Sequence, residues 1–85
     1  MGSYSLRIKQ SAEKELRPIP KADLVRIVRR IQLLAHDPRP QGSEKLAGED
    51  KYRVRQGDWR ILYRIDDTAK VVEVVKIGHR KEVYR

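Results

Sequence analysis

Lys51-Tyr52-Arg53-Val54-Arg55-Gln56-Gly57-Asp58-Trp59-Arg60-Ile61-Leu62-Tyr63 is the stretch on which the fold turns. Apolar and polar residues alternate on both sides of Gly57-Asp58, the pattern of two half-buried strands joined by a tight turn. Residues two apart in a strand share a face, so Arg53 and Arg55 point the same way. A two-residue loop at Gly57-Asp58 then sets Arg55 directly across from Arg60. Like charges in opposed positions destabilise a strand pair. A chain that carries this cost is expected to meet a dense anion there, and a nucleic-acid backbone is the obvious one.

Towards the C-terminus, Asp66-Asp67-Thr68-Ala69-Lys70 has turn composition and leads into a third strand, Val71–Ile77. With simple hairpin registers, Tyr52, Val54, Trp59, Ile61, Tyr63, Ile65, Val71, Val75 and Ile77 share one face, interrupted only by Gln56 and Glu73. That face is expected to receive helices. The opposite face then carries Arg53, Arg55, Arg60, Arg64 and Lys76, with Leu62, Val72 and Val74 between them. A one-residue slip would reverse a strand.

Towards the N-terminus, Tyr4-Ser5-Leu6-Arg7-Ile8 alternates as a short strand does, and Ser11 is placed as the N-cap of a first helix. Pro18-Ile19-Pro20 ends that helix. Leu24, Ile27, Val28, Ile31, Leu34 and Ala35 recur at helical spacing and predict a second helix from about Lys21 to Ala35. His36-Asp37-Pro38-Arg39-Pro40 stops it, and Gln41 to Asp50 reads as a loop anchored by Leu46. The expected fold class is α+β: an N-terminal strand, a helical hairpin and a three-stranded antiparallel meander, joined in one twisted sheet with helices on one face. The N-terminal strand is expected to pair with a C-terminal one.

The totals agree with a single domain over residues 1–85. Lys and Arg number 20 against 12 Asp and Glu, a formal charge of +8, which favours a polyanionic partner: RNA, DNA or an acidic protein. There is no Cys, hence no disulfide, thiolate nucleophile or Cys-bound zinc, and the two histidines, His36 and His79, join no acidic cluster. Neither a metal nor another cofactor is expected. No apolar run approaches the roughly 18 residues of a membrane span, so the expected location is the cytoplasm.

Three segments taken together resemble one family. Lys45-Leu46-Ala47-Gly48, the hairpin from Tyr52 to Tyr63, and Ile77-Gly78-His79-Arg80-Lys81-Glu82-Val83-Tyr84 are similar to the RelE/ParE superfamily of bacterial and archaeal toxins, most of all to its RelE branch. The resemblance implies a RelE-like fold and a ribosome-dependent endoribonuclease that cuts mRNA in the ribosomal A site. It also implies contact with ribosomal RNA there, and an antitoxin that wraps and blocks the toxin. The family's functional positions fall on Arg53, Arg55, Arg60, Arg80 and Tyr84. Best-known members carry Lys where this chain has Arg53 and Arg55. The exchange keeps the charge but removes any group that could titrate.

RNA cleavage by its own 2′-hydroxyl needs proton removal, charge stabilisation at the phosphorane and protonation of the leaving oxygen. Tyr84 in a basic pocket is a candidate general base, a stacking platform for a base, or both. Arg60 and Arg80 would bind the scissile phosphate, and Arg53 and Arg55 would hold the substrate backbone. His79 is an auxiliary acid candidate on its near-neutral pKa, although a hydrogen-bonded residue at a strand end fits it as well. Trp59 reads as core. The arginines could also form a solvated face, and Arg26, Arg29 and Arg30 an exposed helix face, with contact to ribosomal RNA as the lesser alternative. Two rival functions stand beside the nuclease: a ParE-type inhibitor of DNA gyrase, and a non-enzymatic module that binds RNA or the ribosome.

Overall fold

The computed structural model describes residues 3–47 and 50–79. Strand β1 (Ser5–Ile8) runs into helix α1 (Gln10–Leu16), followed by α2 (Lys21–His36), β2 (Glu44–Lys45), β3 (Lys51–Gln56), β4 (Trp59–Asp66) and β5 (Val71–His79). The five strands form one sheet in the order β1-β5-β4-β3-β2. All neighbours are antiparallel except β1, which pairs in parallel with β5. The α+β architecture and the pairing of the first strand with the last agree with the sequence. The two-residue strand β2, inside a segment read as loop, is an addition too short to show periodicity.

The chain passes from β1 into α1 without a pause. Lys9 donates its amide to the Val74 carbonyl at 2.8 Å and accepts from Glu13 at 2.9 Å, so Lys9 rather than Ser11 is the N-cap. Beyond the end of β1, α1 lies along the remaining edge of β5. There the Glu15 carboxylate accepts the Ile77 amide at 3.0 Å and pairs with Lys76 at 3.2 Å, replacing the acceptor a further strand would give. Pro20 caps α2, whose Ile27, Ile31 and Leu34 are buried.

The core is the layer between these helices and the sheet: Ala12, Ile19, Ile27, Ile31 and Leu34 against Val54, Ile61, Tyr63, Val72, Val74 and Ile77. Each large side chain there contributes roughly 1.5–3 kcal/mol by burial. The far strand departs from simple alternation. Leu62 pairs with Lys76 but Tyr63 pairs with Val74, leaving Val75 as the extra residue of a β-bulge. The bulge reverses the phase of the first half of β5. Val72 and Val74, not Val71 and Val75, are therefore the fully buried residues. Glu73 moves to the opposite face, across from Arg64 and beside Arg7.

Among the described residues, no helix is long and apolar enough to cross a membrane.

Candidate functional site

The sheet face turned away from the helices is built in rows across the strands. At the hairpin end Arg55 stands opposite Arg60, and Arg60 opposite Gly78. The next row holds Glu44, Arg53, Leu62 and Lys76. Rows two residues apart along a strand lie about 6.8 Å from one another. The register follows from the turn: Gly57 has φ +60, while Asp58 is not among the residues with positive φ, as a type II′ loop requires. Gln56 then meets Trp59, and the two arginines fall opposite each other.

The three guanidinium groups are held differently. Arg60 is only 7% exposed, and its Nη1 donates to the carbonyls of Gly57 and Trp59, each at 3.1 Å. It thus fastens the turn from which it projects. Arg53 donates through Nη2 to Glu44 Oε1 at 3.1 Å, and the Arg55 Nη2 lies 4.0 Å from that same oxygen. A single carboxylate from the edge strand therefore gathers both β3 arginines. Leu62, 8% exposed, gives the apolar floor on which such stems can lie. A shallow cavity of about 500 Å³ opens beside Arg55, lined by Arg30, Gly42, Ser43, Glu44 and Arg55.

His79 is not part of this group. It pairs with Trp59, and their rings meet edge to face at 5.6 Å between centroids. Trp59 packs against the core and aims its indole nitrogen at Asp23 of α2, 3.4 Å away. Strand alternation thus sets His79 on the helix side, away from the arginines. Arg80 and Tyr84, the other two positions assigned to catalysis, lie outside the described residues. The structure brings Arg53, Arg55 and Arg60 together. Glu44 reaches Arg53 and Arg55 and lines the cavity with Arg55 and Arg30. Sequence reasoning missed Glu44, which stood in an apparent loop, and read Arg30 as part of an exposed helix face with ribosomal RNA contact as the alternative.

The opposite end of the sheet has a different character. Arg39 forms a two-pronged ion pair with Asp67, at 2.8 and 3.2 Å, and Tyr4 donates to the same carboxylate at 2.7 Å. These bonds hold the Asp67 carboxyl down to about 2, with the Arg39 bond the larger cause. Arg39 also donates to the Tyr52 hydroxyl at 3.2 Å. Tyr52 stacks on Tyr63 at 5.8 Å, and Tyr63 donates to the buried Pro38 carbonyl at 2.6 Å. Burial pushes the Tyr63 hydroxyl up to about 12. Here charges are matched and fasten the loop after α2 to the sheet.

Comparison with known proteins adds the ancestry. Residues 6–84 match the family model described as the ParE toxin of the type II toxin–antitoxin system. Toxin RelG of Mycobacterium tuberculosis is 31% identical, the match covering 96% of this chain and 97% of that protein. Among solved structures, the archaeal RelE–RelB complex of Pyrococcus horikoshii aligns with TM-score 0.84 at 30% identity, over 94% of this chain and 98% of that one. The RelBE2 toxin–antitoxin complex of M. tuberculosis gives 0.82 at 28% identity, over 92% and 99%. With a match along nearly its whole length and the same strand–helical hairpin–sheet arrangement, the chain belongs to the RelE/ParE superfamily of type II toxin–antitoxin toxins.

Proposed function

We propose that this toxin is a metal-independent endoribonuclease that cleaves mRNA in the ribosomal A site and so stops translation in the cytoplasm. The observation that carries this reading is the meeting of Arg53, Arg55 and Arg60 on the helix-free face, with Arg55 and Arg60 directly opposed. A phosphodiester placed between them relieves the repulsion, and the fixed donors favour the extra charge of a phosphorane. In the reaction the 2′-oxygen bonds to phosphorus as the bond to the 5′-oxygen breaks. Tyr84 takes the 2′-hydroxyl proton. Arg60 and Arg80 hold the phosphorane oxygens, with Arg80 hydrogen-bonded to the leaving 5′-oxygen, which takes its proton from solvent water while Tyr84 returns its own to solvent. Arg53 and Arg55 keep the backbone in place. His79, turned towards Trp59, is given no step. The ribosome supplies substrate positioning, which a site without a strong acid–base pair needs.

The partner proposed to block this face is an antitoxin, as in the RelBE complexes that share the fold. An acidic segment laid across the arginines fits their charge.

The experiment is primer extension on messages from cells expressing the protein, beside Arg80→Ala and Tyr84→Phe variants. Discrete cleavage within reading frames, lost in both variants, is expected. Intact messages in arrested cells would contradict the nuclease reading. The ParE description of the matching family model favours a second reading, inhibition of DNA gyrase. It predicts blocked supercoiling by purified gyrase with messages uncut.

A further inference from the structure

Glu44 is a carboxylate shared by two arginines of β3. Its Oε1 accepts from Arg53 at 3.1 Å and lies 4.0 Å from Arg55, while its side chain is half exposed at the sheet edge. The cavity on its flank, about 500 Å³, is lined also by Arg30 from α2, by Gly42 and Ser43, and by Arg55. Arg30 is half-buried, and its Nε is shielded from solvent with no hydrogen-bond partner. Two guanidinium groups, Arg30 from α2 and Arg55 from β3, thus line one cavity with Glu44, and the Glu44 carboxylate ties Arg53 to them.

We propose that Arg30, Arg53 and Arg55 form a subsite for a single phosphate group of the RNA backbone, next to the scissile one, and that Glu44 fills it until RNA displaces the carboxylate. This rests on the RNA reading above and goes beyond it in two residues. Arg30 becomes a substrate-binding residue, and Glu44 an internal competitor that weakens binding of any anion too poor to dislodge it. A backbone phosphodiester matches the carboxylate in charge and in its two strong acceptor oxygens, and it displaces Glu44 because the rest of the bound strand holds it at high local concentration beside the site. Glu44 in turn lowers the repulsion between Arg53 and Arg55 while the site lacks RNA.

The test uses the full chain in two arms. In the first, inorganic phosphate is titrated into protein labelled at its arginine side chains, and the Nε signals are followed by NMR. Saturable shifts of Arg30 and Arg55, with Arg39 unmoved, are expected. Shifts confined to other arginines, or none, would overturn the subsite. In the second arm, anisotropy of a 2′-O-methyl pentanucleotide is measured across a salt series. Glu44→Gln should tighten binding about fivefold, the scale of one unit charge at about 4 Å in water. Arg30→Ala should reduce the salt slope by about 0.7, the value for one phosphate contact on a single strand. Unchanged affinity in the first variant, or an unchanged slope in the second, would refute the proposal. Neither arm reads cleavage, so a failure of the nuclease reading shows separately in the primer-extension experiment.

Discussion

The two ends of the sheet use arginine in opposite ways. Arg39 at one end finds a carboxylate, a phenol and an aromatic face within the chain, and Arg64 at that end faces Glu73 across the ladder. At the hairpin end Arg55 faces Arg60, and the carboxylate that reaches Arg53 and Arg55 is Glu44. The matched end ties a loop and three strands together. The hairpin end sets Arg55 directly opposite Arg60, an opposition of like charges that fold stability alone would not favour. Charge balance thus sets the two ends of the sheet apart.

The largest effect should come from breaking the hairpin end. Arg60→Ala should lower cleavage on programmed ribosomes about 100-fold or more, the usual loss for one donor to a developing oxyanion. Arg60 also holds the turn carbonyls of Gly57 and Trp59, so circular dichroism and a melting curve must accompany the rate. Retained cleavage in a folded variant would remove Arg60 from the site.

The matched end should answer in stability instead. Tyr63→Phe strips the Pro38 carbonyl of its donor in a fully buried setting, and should cost about 1–2 kcal/mol in urea unfolding while cleavage is unaffected. A loss of cleavage at unchanged stability would contradict the division between the two ends.

The pH dependence of stability follows from the same network. The Asp67 carboxyl is lowered in the fold to about 2 from an ordinary 3.8, so its contribution is full above about pH 4 and disappears as the pH falls towards 2. Tyr63 is raised from 10.0 to about 12, so its contribution is full below pH 10 and is lost as the pH climbs to 12. Thermal melts should therefore weaken at both limits. Asp67→Asn should flatten the acid limb and Tyr63→Phe the alkaline one. Limbs untouched by these changes would place the titration elsewhere.

A smaller effect sharpens the contrast by its sign. Arg55→Thr removes the opposed pair with Arg60 and adds a good strand former, so it should stabilise the protein by up to about 0.5 kcal/mol while weakening RNA binding. Destabilisation in urea titrations would mean that Arg55 is structural.

Much of this contrast was legible in the sequence. The Gly57-Asp58 turn fixed the register of β3 and β4, and with it the opposition of Arg55 and Arg60, because local turn geometry leaves few alternatives. The apolar spacing of α2 gave its buried face for a similar reason. The bulge at Val75 was hidden, since an extra residue leaves the alternation of Val71 to Ile77 unmarked and shows only against a partner strand. Glu73 was therefore placed with the core rather than opposite Arg64. Glu44, and the place of Arg30 beside Arg55, were hidden too, because contacts between a two-residue edge strand, a helix and β3 leave no periodic trace. For His79, composition allowed a catalytic role, and the position along β5 turned it to the other face.

The central claim is that the arginines of the hairpin end, and not those at the Asp67 end, meet the RNA. Cleavage of a programmed ribosomal complex in single turnover should be compared for Arg55→Gln and Arg39→Gln at equal folded concentration. The account predicts a loss of about 100-fold for the first and less than about threefold for the second. Equal losses, or a greater loss at Arg39, would contradict it.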